Sequence, residues 1–281
     1  MYKEKLTVPQ KIRRECRRGW ERTGLNVGYF LRTRGRGFRC EDPVLITGCG
    51  HTGTTWLLRV LAAHPDLHAV NFESSFARWS DHREGKMVAR FNKETVCRGK
   101  KRWVEKTPKH VRHLDRIFRL FPAGRVVVMV RDPRDVVASL KKRSGDFEEA
   151  LERWVGDNTH AEEWREDPRV HFVRYEDLKA GFEEALRVLV DFLDLPWSER
   201  LLDYTSTQFR FLQDLKPVAP SAVDEESTGH REHLENRKRQ IEQKDYDGRG
   251  RWRNDLEEHE LGRILEQGDL IRKQGYGDIL E

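Results

Sequence analysis

The sequence predicts a three-layer α/β fold, with a central, mostly parallel sheet flanked by helices, and three observations predict it. Val44-Leu45-Ile46-Thr47 is a short apolar run that leads directly into a glycine-containing loop and the start of a helix. Arg125–Val130 is apolar after its first residue, as a strand covered on both faces should be. These runs alternate with segments of helical periodicity, and strands joined through helices build parallel sheets with helices on both faces. At 281 residues the chain is long enough to form one large domain with a substantial core.

Each element follows in order. Residues 1–42 are basic and weakly periodic and read as an N-terminal extension, with one short helix before the Gly/Arg-rich stretch Arg32–Phe38. The first strand is Val44–Thr47. The helix from Thr54 carries Trp56, Leu57, Val60 and Leu61 at helical spacing and stops near His64-Pro65. From there to about residue 104 polar and aromatic residues alternate without a clean period, so helices and loops over a ligand cleft are expected. The second strand, Arg125–Val130, is followed by a helix beginning near Pro133. His171–Tyr175 is the third strand, and Leu178–Leu195 contains a helix with a stripe of Leu186, Leu189, Val190 and Leu193. Residues 229–251 are dense in charge and end in glycines, the pattern of a mobile flap or a solvated helix. No internal repeat is visible, and 1–281 reads as a single domain.

Composition narrows the partners. Lys and Arg total 53 against 48 Asp and Glu, a formal charge of +5. With charged residues at 36% and hydrophobic residues at 37%, that excess fits an anionic ligand in a basic cleft and does not require nucleic acid. Cys16, Cys40, Cys49 and Cys97 have no metal-ligand spacing and no CxxC pair, which favours a reducing, cytoplasmic compartment. No apolar stretch follows the basic N-terminus, so neither a secretory signal nor a transmembrane segment is expected.

The loop Gly48-Cys49-Gly50-His51-Thr52-Gly53-Thr54-Thr55 carries the chemistry. A strand, a tight glycine turn and a helix start cradle phosphate groups on backbone N–H donors. Gly48 and Gly53 have the spacing of the ATP/GTP-binding loop and Thr55 keeps its hydroxyl, but Thr54 replaces the lysine. A loop that grips phosphates without this lysine points to a nucleotide ligand whose transferred group is not a γ-phosphate. Arg131 lies just past the second strand with Ser139 about two turns into the next helix, so both reach one pocket if the chain bends at Pro133. Arginine grips phosphate through two prongs and serine adds a shorter neutral bond. The bland alternative, Arg131 paired with Asp132 or Asp135 at the surface, is less favoured because the buried strand aims it at the crevice.

Three further segments sharpen the picture: Arg131-Asp132-Pro133-Arg134-Asp135-Val136-Val137-Ala138-Ser139, Glu105-Lys106-Thr107-Pro108 and Arg174-Tyr175-Glu176-Asp177-Leu178. Together with Thr52-Gly53-Thr54-Thr55-Trp56 they resemble the sulfotransferases that use 3′-phosphoadenosine 5′-phosphosulfate (PAPS). The resemblance runs in order from about Val44 to Leu195, with a weaker echo at Gly250–Asn254. It implies a P-loop-like α/β fold and transfer of a sulfuryl group from PAPS, leaving 3′,5′-adenosine bisphosphate (PAP), to a hydroxyl or amine acceptor. Thr52, Gly53, Thr54 and Thr55 would wrap the 5′-phosphosulfate, with Gly50 and His51 also at the cofactor. Trp56 and Tyr175 would lie near the adenine, Arg131 and Ser139 would bind the 3′-phosphate, and Arg249 and Arg251 match a segment that closes over it.

A sulfuryl group carries less negative charge than a phosphoryl group, so protein cations and backbone donors suffice, and no metal is expected. Members of the family commonly place lysine or arginine where this chain has His51. Either His51 fills that role, making activity sensitive to pH near neutrality, or Lys106 supplies the cation. An exposed Lys106–Glu105 salt bridge is the competing reading. The resemblance implies Glu73 as the catalytic base over His68 and His110, since protein-tyrosine and carbohydrate sulfotransferases carry a basic glutamate at about this place; were His51 the base instead, the leaving-group role would pass to Lys106. Arg78 and Trp79, with Arg83 and Lys86, should line the acceptor side, and basic residues beside an aromatic suit a sugar or an anionic glycan or glycolipid; the bland alternative is that they simply face solvent. Trp154 reads as packing. Two rivals stay open: a non-catalytic nucleotide-binding module and a small-molecule kinase. Oligomeric state is not legible.

Overall fold

The computed structural model describes residues 40, 42–78, 81–207, 209 and 248–281, with the backbone alone for 81–83. The basic extension therefore lies outside the described residues apart from residues 40 and 42, as does the charged segment 229–251 apart from its last four residues.

Five strands, β1 (Val44–Gly48), β2 (Leu67–Ala69), β3 (Arg102–Lys106), β4 (Arg125–Val130) and β5 (Val170–Arg174), form one sheet. Its order is β2-β3-β1-β4-β5 and every pairing is parallel. The register sets Leu45 beside Glu105 on one side and Val126 on the other. Parallel strands in register send their following loops out at one edge, and every candidate site residue on β1, β3, β4 and β5 gathers there.

The helices are α1 (Thr54–Leu61), α2 (Asp81–Cys97), α3 (Leu114–Leu120), α4 (Pro133–Ser144), α5 (Phe147–Glu162), α6 (Tyr175–Ala180), α7 (Phe182–Phe192), α8 (Trp252–Asp255), α9 (Glu258–Leu265) and α10 (Gly268–Lys273). Side chains alternate across the sheet into two cores, as a strand period of two requires. Val44, Ile46, Val104, Val127 and Met129 pack with Leu57, Leu58 and Leu61 of α1 and Leu186 and Leu189 of α7. Leu45, Trp103, Val126, Val128 and Val130 pack on the other face with Phe91 of α2, Ile117 of α3, Val137 of α4 and Trp154 of α5. Ile264 of α9 and Ile271 of α10 join that second core, so both faces are covered and the fold is three-layered.

The region expected to hold only helices and loops contains two of the five strands, β2 and β3. β2 has three residues, too few for a period. β3 is Arg102-Trp103-Val104-Glu105-Lys106, and charge at three of its five positions hides it, although all five side chains are buried. The Arg102 guanidinium donates to the carbonyls of Asp42 and Leu193, and those bonds offset its burial. The third strand is displaced by one residue, because Tyr175 opens α6, and the helix expected within Leu178–Leu195 is α7, which buries Leu186, Leu189 and Val190.

Candidate nucleotide-binding and transfer site

β1 ends at Gly48, whose φ of 126° only glycine adopts readily and where a Cβ would sit 2.4 Å from the Met129 carbonyl oxygen. The chain turns again at His51 (φ 71°) and Gly53 (φ 95°) before α1 begins at Thr54. A Cβ on Gly53 would meet the Tyr175 ring at 2.8 Å. No side chain caps the α1 N-terminus and no acidic residue lies in its first turn, so its partial positive charge points into the loop. Thr52 braces the turn by donating from Oγ1 to the Cys49 carbonyl at 2.8 Å. Burial, with Asp157 beside it, pushes the Cys49 thiol up, so Cys49 is an inert packing residue.

Next to the loop, β4 delivers Arg131. It pairs with Asp135 at 3.3 Å, stacks 4.6 Å above the Tyr175 ring and donates to the carbonyl oxygens of His51 and Gly248. Its side chain is 12% exposed, so the Asp135 pairing is an arrangement inside the cleft and not the surface pair considered from sequence. Its Nε–H is buried and has no hydrogen-bond partner. A buried, unbonded guanidinium N–H beside a glycine cradle and an uncapped helix start is the donor set that a phosphorylated nucleotide satisfies, so the residues present fit PAPS. Ser139 contacts the His51 side chain, Oγ to Nδ1 at 2.8 Å. His51 is thereby drawn toward the Arg131–Ser139 side of the loop.

Trp56 and Tyr175 meet edge to face, ring centroids 5.6 Å apart, and Trp56 stacks on Phe182. The Trp56 Nε1–H donates to the Tyr204 hydroxyl at 3.0 Å, which fixes the ring. Asp135 also accepts the backbone N–H groups of Gly250 and Trp252, and Arg134 lies 4.4 Å from the Trp252 ring. These contacts bring residues 248–252 onto the N-terminus of α4, beside Arg131. Arg249 within this segment is exposed and Arg251 half-buried.

On the other side of β1, the end of β3 carries Lys106. Its ammonium is 1% exposed and lies 2.5 Å from Oε1 of Glu73, so it pairs with Glu73 and not, as the competing reading had it, with Glu105 at the surface. Glu105 points to the opposite face and is fully buried. It accepts from the Ser74 N–H (3.0 Å), the Ser74 hydroxyl (2.8 Å) and the Thr107 hydroxyl (2.6 Å), with His110 Nδ1 at 3.3 Å. Burial works against its charge, but His110, Thr107 and Ser74 together hold its carboxyl below the usual range. Because Ser74 follows Glu73 and Thr107 follows Lys106, this one carboxylate ties together the two segments that present the ion pair.

The remaining sequence candidates divide. His110 is wholly buried against Glu105 and Phe76, and His68 is buried in β2 against Glu94. Arg78 and Lys86 are exposed, Trp154 is a core residue, and Trp79 lies outside the described residues. Sequence reasoning missed Arg153, whose guanidinium covers Gly50, and Arg112, which shares Asp157 with it. Only contact across the fold reveals them, since both lie in unremarkable charged stretches. Among the described residues no group of three or more His, Cys, Asp or Glu is placed to hold a metal, and no helix is long and apolar enough to cross a membrane.

The sulfotransferase family model matches residues 68–199, which run from β2 past α7 and include Glu73, Lys106, Arg131, Ser139 and Tyr175. This part, just under half of the chain, is similar to the sulfotransferase family. An uncharacterized protein of Aquifex aeolicus (strain VF5) is 24% identical over 239 residues, covering 70% of this chain and 30% of that protein. A protein-tyrosine sulfotransferase of Drosophila melanogaster is 25% identical over 205 residues, covering 58% of this chain and 40% of that protein. The chain thus spans 30% to 40% of the length of these curated relatives. In fold it is similar to a mouse sulfotransferase solved in complex with PAP, with a TM-score of 0.55 at 17% identity over 92% of this chain and 93% of that one.

Proposed function

We propose that this protein is a sulfotransferase, which transfers a sulfuryl group from PAPS to a hydroxyl or amine acceptor. The observation that carries the reading is the buried, unbonded Nε–H of Arg131 beside the glycine loop, with the Lys106–Glu73 pair across β1 from it. Bound PAPS would supply the activated sulfuryl group. Gly50 to Thr55 would hold the phosphosulfate end on backbone N–H groups and threonine hydroxyls. Arg131 and Ser139 would hold the 3′-phosphate, Trp56 and Tyr175 the adenine, and the segment with Arg249 and Arg251 would close the phosphate side.

Glu73 is the base in this reading. Its carboxylate receives the acceptor proton, and Lys106 both orients it and places a positive charge where negative charge develops. His51, bonded to Ser139 through Nδ1, can offer at most one further ring nitrogen to the loop. Lys106 is therefore the main catalytic cation and His51 a helper. A carbohydrate-type acceptor remains favoured by the basic acceptor side at Arg78.

The test is release of PAP from labelled PAPS in the presence of an acceptor panel. PAP release that requires an acceptor and is lost in Glu73→Gln supports the reading. Tight PAP binding without release for any acceptor would instead make the chain a non-catalytic nucleotide-binding module.

A further inference from the structure

We infer that Arg78, Lys109, Arg112 and Arg153, on the Lys106 side of the glycine loop, form a subsite for an anionic group of the acceptor, so that the molecule sulfated is itself an acid. The inference rests on the sulfuryl-transfer reading and adds the chemical class of its acceptor. Arg153 projects from α5 onto the loop, where its guanidinium nitrogen is 2.7 Å from the place a Cβ on Gly50 would occupy. The absence of a side chain at Gly50 is what lets the cation come so close. Arg112 donates from Nε to Oδ1 of Asp157 at 2.5 Å, and Arg153 Nε lies 3.5 Å from Oδ2. Two guanidiniums thus share one carboxylate that is fully buried, while the arginine side chains keep 40% and 25% of their exposure. The carboxylate fixes Arg112 by a hydrogen bond and holds Arg153 beside it as an ion pair, with both guanidiniums part-exposed next to the loop.

Lys109 and Arg78 are exposed beside them. The Lys109 ammonium is held below its ordinary range by burial and by the like charges of Arg153, Arg78 and Arg112, against which Asp157 is the opposing anion. His113, on the same turn, is likewise lowered by burial and by His110 and Arg78. Cations crowded this way repel one another, and a fold retains such an arrangement where a bound anion relieves it. The placement selects which anion. Lys109 and Arg112 follow Lys106 in the turn Pro108–His113, and Arg78 follows Glu73 in the turn Phe76–Arg78. The cluster therefore accompanies the pair that handles the acceptor hydroxyl, across β1 from Arg131 and Ser139. A carboxylate or a sulfate near that hydroxyl presents the two oxygens that a guanidinium fork takes.

Ligand-observed NMR with 4-hydroxyphenylacetate and its uncharged amide tests this, on the full chain with and without saturating PAP. The expected result is a preference of about tenfold for the carboxylate that persists with PAP bound. It should fall several-fold in Lys109→Gln and Arg78→Gln, which remove exposed side chains, and further in Arg153→Gln. Arg187→Gln, an exposed change on α7, should leave it unaltered. Equal binding of the two probes, binding of neither, or a preference that PAP abolishes overturns the inference, the last because the cluster would then belong to the nucleotide. Failure of the wild type to bind PAP is a separate result and counts against sulfuryl transfer instead.

Discussion

Replacing Glu105 probes how the Lys106–Glu73 ion pair is held. The carboxylate is wholly buried and takes hydrogen bonds from the Ser74 backbone and hydroxyl and from Thr107, with His110 beside it. Glu105→Ala strands these donors away from water. A buried polar group left without a partner costs about 1–3 kcal/mol, and breaking one side of a buried charged network costs about 3–5 kcal/mol in all. Relaxation of the Ser74 segment recovers part of this, so the expected loss is about 3–4 kcal/mol. Glu105→Gln keeps the shape and one acceptor oxygen and should cost about half as much. The assay is urea unfolding, in which the midpoint should fall with little change in slope. The sign with pH is fixed: the folded-state pKa is lowered, so this stabilisation is complete above the unfolded carboxylate value of about 4.3 and is lost as pH falls through the folded value. The wild-type advantage over Glu105→Gln should therefore shrink on acidification below about pH 4. A loss under about 1 kcal/mol for Glu105→Ala, or an advantage that grows on acidification, would refute the reasoning.

Other outcomes follow from the same geometry. Glu73→Gln should reduce PAP formation at least a hundredfold, about the lower bound for removing a general base, with PAP affinity nearly unchanged, as read by turnover and calorimetry. Gly53→Ala forces a side chain at φ 95° and 2.8 Å from Tyr175, so it should weaken PAP binding at least tenfold by calorimetry, about the effect of 1.4 kcal/mol. Asp135→Ala frees the backbone of Gly250 and Trp252, and limited proteolysis should then cut near residues 248–252 faster than in the wild type. Hydrogen bonds from His68 and Arg90 outweigh burial and hold Glu94 at about 2, so stability should decline as pH drops from about 4 toward 2, and less so in Glu94→Gln, measured by thermal unfolding.

The parts of this fold legible in the sequence are those whose residues declare their surroundings. β1 and β4 are apolar runs because both faces are covered, and the glycine loop shows itself through backbone turns that Gly48 and Gly53 must make. Arg131 and Ser139 were readable because they hang from such a strand and the helix after it. β3 was not, since Arg102, Glu105 and Lys106 are buried by virtue of partners distant in the chain: Leu193, Ser74 and Glu73. Glu73 and Lys106 were each singled out, but their contact depends on the β2–β3–β1 order, which no local pattern encodes. Arg153 was silent for the same reason, its significance residing in Gly50.

The most direct test of the central claim is calorimetric titration with PAP, run beside ATP plus magnesium, on the wild type and on Arg131→Ala. Tight binding of PAP, much weaker binding of ATP, and loss of PAP binding in the variant are expected. Absence of PAP binding by the wild type, or PAP binding indifferent to Arg131, would contradict that claim.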